Sequence, residues 1–223
     1  MIKMLTQEQL QYMEDKVLEW NVLFGNDLNN KNLIDTYINL CIEEGTEWVQ
    51  AIKDQNHVEI LDAICDSVFT GFMLNRLQEG GGYGKWFEVE DLGFPVILEK
   101  FIEDLQTKQI HSYTTCLVAE VYQASQHYNI LEAFNRVAES NFSKAISKLA
   151  VENGEISLQD CVTEVESAGR YEDVFVHETE SRFLIKARKD LQEGKEYPDG
   201  KIVKGDSWYK SVEDLGGLEE FIY

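Results

Sequence analysis

Two short stretches set carboxylates where a helix ought to be apolar, and they restrict what this chain can fold into more than any other feature. The first, Cys41-Ile42-Glu43-Glu44-Gly45-Thr46-Glu47-Trp48, lies in a helical pattern with apolar positions Ile34, Ile38, Cys41, Gly45, Trp48 and Ile52. Glu44 falls inside that stripe, three residues after Cys41 and four before Trp48. The second is Leu61-Asp62-Ala63-Ile64-Cys65-Asp66, where Asp62 and Asp66 sit one turn apart on a face shared with Phe69 and Met73. Carboxylates against apolar surface are costly unless something positive meets them. Between the stretches, Asp54-Gln55-Asn56 is a turn joining a helix from about Lys31 to Lys53 with one from about His57 to Gln78. Long helices joined so tightly pack antiparallel, which brings Glu47 opposite Asp62, and Glu43 or Glu44 opposite Asp66. Converging carboxylates would repel and protonate without a cation, whereas a bound metal stabilises each ionised form. Oxygen-only ligands suit Mg²⁺, with Mn²⁺ as a substitute, and Mg²⁺ is commonly shared with substrate phosphates. The corresponding chemistry is polarisation of the phosphoryl oxygens of a nucleoside triphosphate and activation of water for in-line attack.

The rest of the chain narrows the class. Thr6 is a candidate N-cap for a first helix with Leu10, Met13, Val17, Trp20 and Leu23 on its apolar face, ended by Gly25-Asn26-Asp27. Gly80-Gly81-Gly82-Tyr83-Gly84 breaks the pattern without dinucleotide-binding spacing. It reads as a loop between helices or as a substrate lid with Lys85 and Trp86 at its far end. Helical pattern returns over Val96 to Gln106, Ser112 to His127 and Ile130 to Lys148. After about residue 150 the texture changes. Val174 to Val176 and Phe183 to Ile185 suggest a hairpin, Tyr197-Pro198-Asp199-Gly200 a turn, and Lys201 to Lys204 a third strand. The expectation is a mainly α protein: an antiparallel helical bundle over 1–150 as the catalytic body, with a small β-containing C-terminal extension over 151–223.

Charge and cysteine usage exclude other classes. Twenty Lys and Arg face 41 Asp and Glu, a net charge of −21, which opposes general nucleic-acid binding. Cys41, Cys65, Cys116 and Cys161 form no CxxC, and the four histidines no HxxxH, so neither a zinc site nor a disulfide framework is expected. No apolar run is long enough to span a membrane, and the opening residues turn polar too early for a signal peptide. A cytoplasmic location is expected.

The acidic pattern also resembles a known family. Glu43-Glu44-Gly45-Thr46-Glu47 followed by Asp62 to Asp66 is similar to the EExxE and acid-plus-Asp signatures of the MazG-like superfamily of all-α nucleoside triphosphate pyrophosphohydrolases. Ala133-Phe134-Asn135-Arg136-Val137-Ala138-Glu139-Ser140-Asn141-Phe142-Ser143-Lys144 resembles the AFxxVxxSNxSK segment of its bacteriophage members, and Gly200 to Gly205 their GKxxKG element. The matches follow the family's order over roughly residues 35 to 210. The resemblance implies an all-α pyrophosphatase-type bundle, Mg²⁺-dependent cleavage between the α and β phosphates, and assembly as a dimer or tetramer. It implies Glu44, Glu47 and Asp66 as main metal ligands, with Glu43 and Asp62 as further ligands or water activators. Asn141 and Lys144 would contact substrate, and Lys201 and Lys204 would add phosphate contacts. The chain departs from the pattern at Ala63, where many members carry a glutamate. It is also longer than compact members over 80–126 and 150–200. Two alternatives stand beside this reading: a dimeric dUTPase-like enzyme of the same superfamily, and a non-catalytic nucleotide-binding or interaction protein on this fold.

Overall fold

The computed structural model describes residues 5–79, 99, 102–103, 105–107 and 110–223, apart from the side chains of 79 and 110–116. The described chain is mainly helical with a small antiparallel sheet of four strands near its C-terminal end. It divides into two compact units: Met1–Asn21, Asn26–Ala138 and Gly217–Tyr223 form one, and Val22–Gly25 with Glu139–Gly216 form the other.

In the helical unit α1 spans Gln7–Leu23. Thr6 starts it with a capping box: its Oγ1 accepts from the Gln9 backbone N–H at 3.2 Å while its own N–H donates to Gln9 Oε1 at 2.8 Å. Leu10, Met13 and Val17 are fully buried, as their spacing predicts. The helix α2 covers Ile34–Lys53, after a 3-10 turn at Lys31–Leu33, and α3 covers His57–Glu79. Their junction is closed at both ends. The N–H of Asn56 donates to Ala51 C=O at 3.0 Å and that of Gln55 to Ile52 C=O at 3.1 Å, the two bonds of a Schellman motif. Asn56 then caps α3 by accepting from the Glu59 N–H at 3.3 Å. Gln55 carries the left-handed conformation this motif needs, at φ +55°, where glycine would sit without strain.

Buried positions on α3 run almost unbroken from Ile60 to Leu77, interrupted by half-buried Asp62, Asp66 and Arg76. A helix apolar nearly all round belongs at the centre of its unit, and α3 packs against both α2 and α4, Ile110–Ala124. Phe69 stacks on Phe134 of α5, Ile130–Ser143, at 5.1 Å between centroids, and meets Trp20 edge-on at 6.1 Å. The chain's last residues return here: Arg136 donates to Gly217 C=O at 2.9 Å and pairs with Glu220 at 2.8 Å. Of the Val96 to Gln106 helix, residues 99, 102–103 and 105–106 are described and helical; the glycine-rich stretch with Lys85 and Trp86 lies outside the described residues. No helix among the described residues is long and apolar enough to cross a membrane.

The second unit corrects three expectations. The helix expected to reach Lys148 ends at Ser143, and Ala145–Ser147 is strand β1, paired with Arg182, Phe183 and Leu184 of β3. The sheet edge offers β1 the backbone partners that a helical continuation would have supplied internally. After the short α6 (Lys148–Glu152), an unforeseen helix α7 (Leu158–Ser167) starts at Ser157, which caps the Asp160 N–H at 3.3 Å. The hairpin is present as β2 (Tyr171–Glu178) against β3 (Arg182–Asp190), with Val176 opposite Ile185. Tyr197 to Gly200, expected as a turn between strands, lies within β4 (Lys195–Ile202) as an irregularity facing Arg188. Pro198, which has no N–H to donate, is tolerated in such a bulge. The connecting turn is Leu191 to Gly194, where buried Asp190 accepts from the N–H groups of Gln192 and Glu193. Ile146, Cys161, Val165, Ile185, Ala187, Val203 and Trp208 form this unit's core.

Replacing Gln55 by Gly should stabilise the protein by about 1 kcal/mol by relieving the left-handed strain. Phe134→Ala should cost about 3–5 kcal/mol. Urea unfolding of both variants against the wild type checks the two signs.

Candidate metal centre

The acidic face is built by α2 and α3. Helical spacing sends Cys41, Gly45 and Trp48 of α2 into the interior, and Glu44, between them, is carried to a half-buried position. Glu43 and Glu47 stay exposed on either side of it. On α3, Asp62 and Asp66 are half-buried among fully buried Leu61, Ile64 and Cys65. The expectation that Glu44 lies on a core-facing stripe therefore holds.

Glu44 reports how closely the five acids are gathered. Burial is the largest cause pushing its carboxyl up to about 8, and the charges of Asp66, Glu47, Glu43 and Asp62 push in the same direction, in that order. The nearby Cys65 thiol is held well above its ordinary range by burial, with Asp66 and Asp62 adding to the effect. All five acids thus share one electrostatic neighbourhood around Glu44. Among the described residues, however, no group of three or more His, Cys, Asp or Glu side chains is arranged to hold a metal ion. The donor set fits Mg²⁺ in type, since every candidate ligand is a carboxylate oxygen.

The remaining candidates lie in the second unit. Asn141 is in the last turn of α5, and Lys144 follows the helix end. Both are half-buried, and Lys144 Nζ donates to Asn141 Oδ1 at 2.5 Å. The neighbouring residues Ser140 and Ser143 are fastened to the segment after β4: Ser140 Oγ lies 3.0 Å from Tyr209 Oη, and Ser143 Oγ accepts from the Lys210 N–H at 2.9 Å. Lys204 is exposed, with its ammonium 4.6 Å from the centroid of Tyr209.

Lys201 is engaged elsewhere. Its ammonium pairs with Asp190 at 3.0 Å and Glu193 at 2.5 Å. Burial pulls its pKa down, but the hydrogen bonds to Glu193 and Asp190 outweigh that and hold it above the ordinary lysine value. Arg170 reaches the same Asp190 at 2.8 Å and, helped by Lys201, keeps that carboxyl well below the usual carboxylate range. Sequence spacing carries no signal for this network, whose pairs to Asp190 come from positions twenty and eleven residues away. The structure therefore brings together Glu43, Glu44, Glu47, Asp62 and Asp66 in one unit and Asn141 with Lys144 in the other, and gives Lys201 a place in a structural ion-pair network.

The pH dependence of Glu44 has a definite sign. Its folded carboxyl binds a proton more tightly than the unfolded one, whose ordinary value is 4.5, so stability without metal falls as pH rises from that value to about 8 and levels off beyond it. Glu44→Gln should flatten this decline, as read from denaturation midpoints in EDTA between the two limits. Compared with known proteins, the chain matches no family model, no curated protein and no solved structure.

Proposed function

We propose that the protein is a Mg²⁺-dependent pyrophosphohydrolase that cleaves a nucleoside or deoxynucleoside triphosphate to the monophosphate and pyrophosphate, adjusting a nucleotide pool. The observation that carries this reading is the gathering of five carboxylates from two consecutive helices around half-buried Glu44. The resemblance of the Glu43 to Glu47, Asp62 to Asp66 and Ser140 to Lys144 segments to phage-type MazG-like enzymes supports it, and the bundle belongs with the all-α pyrophosphatase type on the same grounds.

On this reading Glu44, Glu47 and Asp66 would hold Mg²⁺, and Glu43 and Asp62 would complete the set or orient the attacking water. A metal held there would supply Lewis-acid polarisation of the phosphoryl oxygens. A carboxylate of the set accepts the proton that water gives up. The resemblance gives Lys144 and Asn141 a substrate contact, and the bond between them restricts where the ammonium sits. Lys204, exposed, is available for a phosphate contact, whereas Lys201 would first have to leave Asp190 and Glu193. The enzyme acts as a homo-oligomer, dimer or tetramer, in the cytoplasm, that of the host if it is phage-encoded. A dUTPase-like specificity is the version of this chemistry in which one base is selected.

One observation favours a second reading, that of a non-catalytic nucleotide-binding protein: no metal cage stands assembled among the described residues. Incubating the protein with each NTP and dNTP in Mg²⁺ and identifying the products separates the cases. Release of monophosphate and pyrophosphate is expected, abolished by EDTA and lowered by about two orders of magnitude in Glu47→Gln. Cleavage of dUTP alone points to the dUTPase branch. Nucleotide binding with wild type and variant equally inert points to the non-catalytic protein, and turnover that survives full chelation excludes the metal.

A further inference from the structure

In a chain of net charge −21, the strand β3 stands apart: Arg182, Lys186, Arg188 and Lys189 fall within nine residues whose one acid is Asp190. Alternation places Ile185 and Ala187 in the core of their unit and Lys186 and Arg188 on the opposite face of the sheet. Both neighbouring ladders lapse at Arg188. On one side Glu172 pairs with Lys189 and Val174 with Ala187, but Asp173, opposite Arg188, is skipped and has φ +55°. On the other side Ala187 pairs with Lys201 and Lys189 with Glu196, so Tyr197 to Gly200 face Arg188 alone. Gly200 has φ +81°, and a Cβ there would stand 2.8 Å from Phe175 Cζ and 3.0 Å from Lys186 Cβ. The Phe175 ring thus takes the space that a side chain at position 200 would fill, and the Arg188 guanidinium carbon lies 4.3 Å from the ring centroid. Irregular strands re-aim side chains, and here the ring braces the guanidinium.

Arg188 is exposed, and among the described residues its guanidinium makes no hydrogen bond or ion pair beyond this ring contact. Lys186 is half-buried, with its ammonium 3.3 Å from the Asp199 carbonyl oxygen; burial pulls its pKa down and the charge of Asp199 pushes it up. Of the acids opposite, Glu172 and Asp173 are met by Lys189 at 3.2 and 3.8 Å. Two cations on alternate residues, with Cα atoms roughly 7 Å apart, suit an anion that carries several oxygens. A peptide could not add to β3 as a strand, because β2 and β4 occupy both of its edges there. A nucleic-acid base would find no stacking platform, because Arg188 and Gly200 already occupy the Phe175 ring. We infer that Arg188, braced on Phe175, and Lys186 form a binding site for the phosphate chain of a small polyphosphate, free or carried by a nucleotide. The site calls on neither the carboxylates of α2 and α3 nor a metal.

The test is calorimetric titration of inorganic tripolyphosphate, and separately of dATP, into the full chain in EDTA at low salt. The proteins are the wild type, Arg188→Ala, Phe175→Leu and Lys195→Ala, each checked by circular dichroism for a retained fold. Arg188→Ala is expected to weaken tripolyphosphate binding about tenfold, the loss of charge-assisted hydrogen bonds. Phe175→Leu keeps every charge and should weaken it about threefold by freeing the guanidinium. Lys195→Ala removes the same charge from the adjoining strand and should stay within about twofold of the wild type. The dATP affinity should lie within about threefold of that for tripolyphosphate, because the donors reach phosphate oxygens alone. A wild type that binds neither anion overturns the inference, and so does dATP bound without tripolyphosphate. Arg188→Ala or Phe175→Leu binding as tightly as the wild type overturns it as well, as does Lys195→Ala as weak as Arg188→Ala. The hydrolysis proposed above requires a metal and is silent in EDTA, so either reading can fail while the other stands.

Discussion

The turn at Asp54 to Asn56 folds α2 back along α3, and the acidic face exists because of it. Two Schellman bonds end one helix and the Asn56 side chain begins the next, so few backbone groups at the junction need outside partners. The short closed connection leaves the helices little freedom of register. Carboxylates at similar distances from the turn then meet across the interface, as Glu44 registers through the charges of Asp62 and Asp66. The left-handed Gln55 is the strain this geometry tolerates.

Around that hairpin the physics is a competition between burial and charge. Apolar neighbours take Cys41, Gly45 and Trp48 out of water and carry Glu44 part of the way with them. Desolvation and four like charges then both favour its neutral form. The second unit shows the opposite solution. Asp190 is also buried, but Arg170, Lys201 and two backbone N–H groups of the following turn meet it, and its carboxyl stays ionised. The contrast between Asp190, met by cations, and half-buried Glu44, pushed up by burial and by its acidic neighbours, gives the α2–α3 face its candidacy as a cation site.

Much of this was legible in the residue pattern. Capping residues and 3.6-residue periodicity mark α1, α2 and α3 because those signals are local. The hairpin of β2 and β3 shows in its alternating apolar runs. What failed were features held by distant partners. Ala145–Ser147 leaves the helical pattern because β3, nearly forty residues on, takes up its backbone bonds. Tyr197 to Gly200 has turn composition, yet pairing on both sides absorbs it into β4 as a bulge. Nor does spacing carry any trace of the ion pairs that Lys201 makes with Asp190 and Glu193.

By itself the sequence determined where the acids lie along their helices, that a tight turn joins those helices, and that the chain is mainly helical, since each follows from spacing and local capping. Only the tertiary structure decided which acids are exposed and which are half-buried, and that Arg188 lies over the Phe175 ring. Burial and charge compensation depend on atoms brought from remote parts of the chain, and periodicity along one helix carries no record of them.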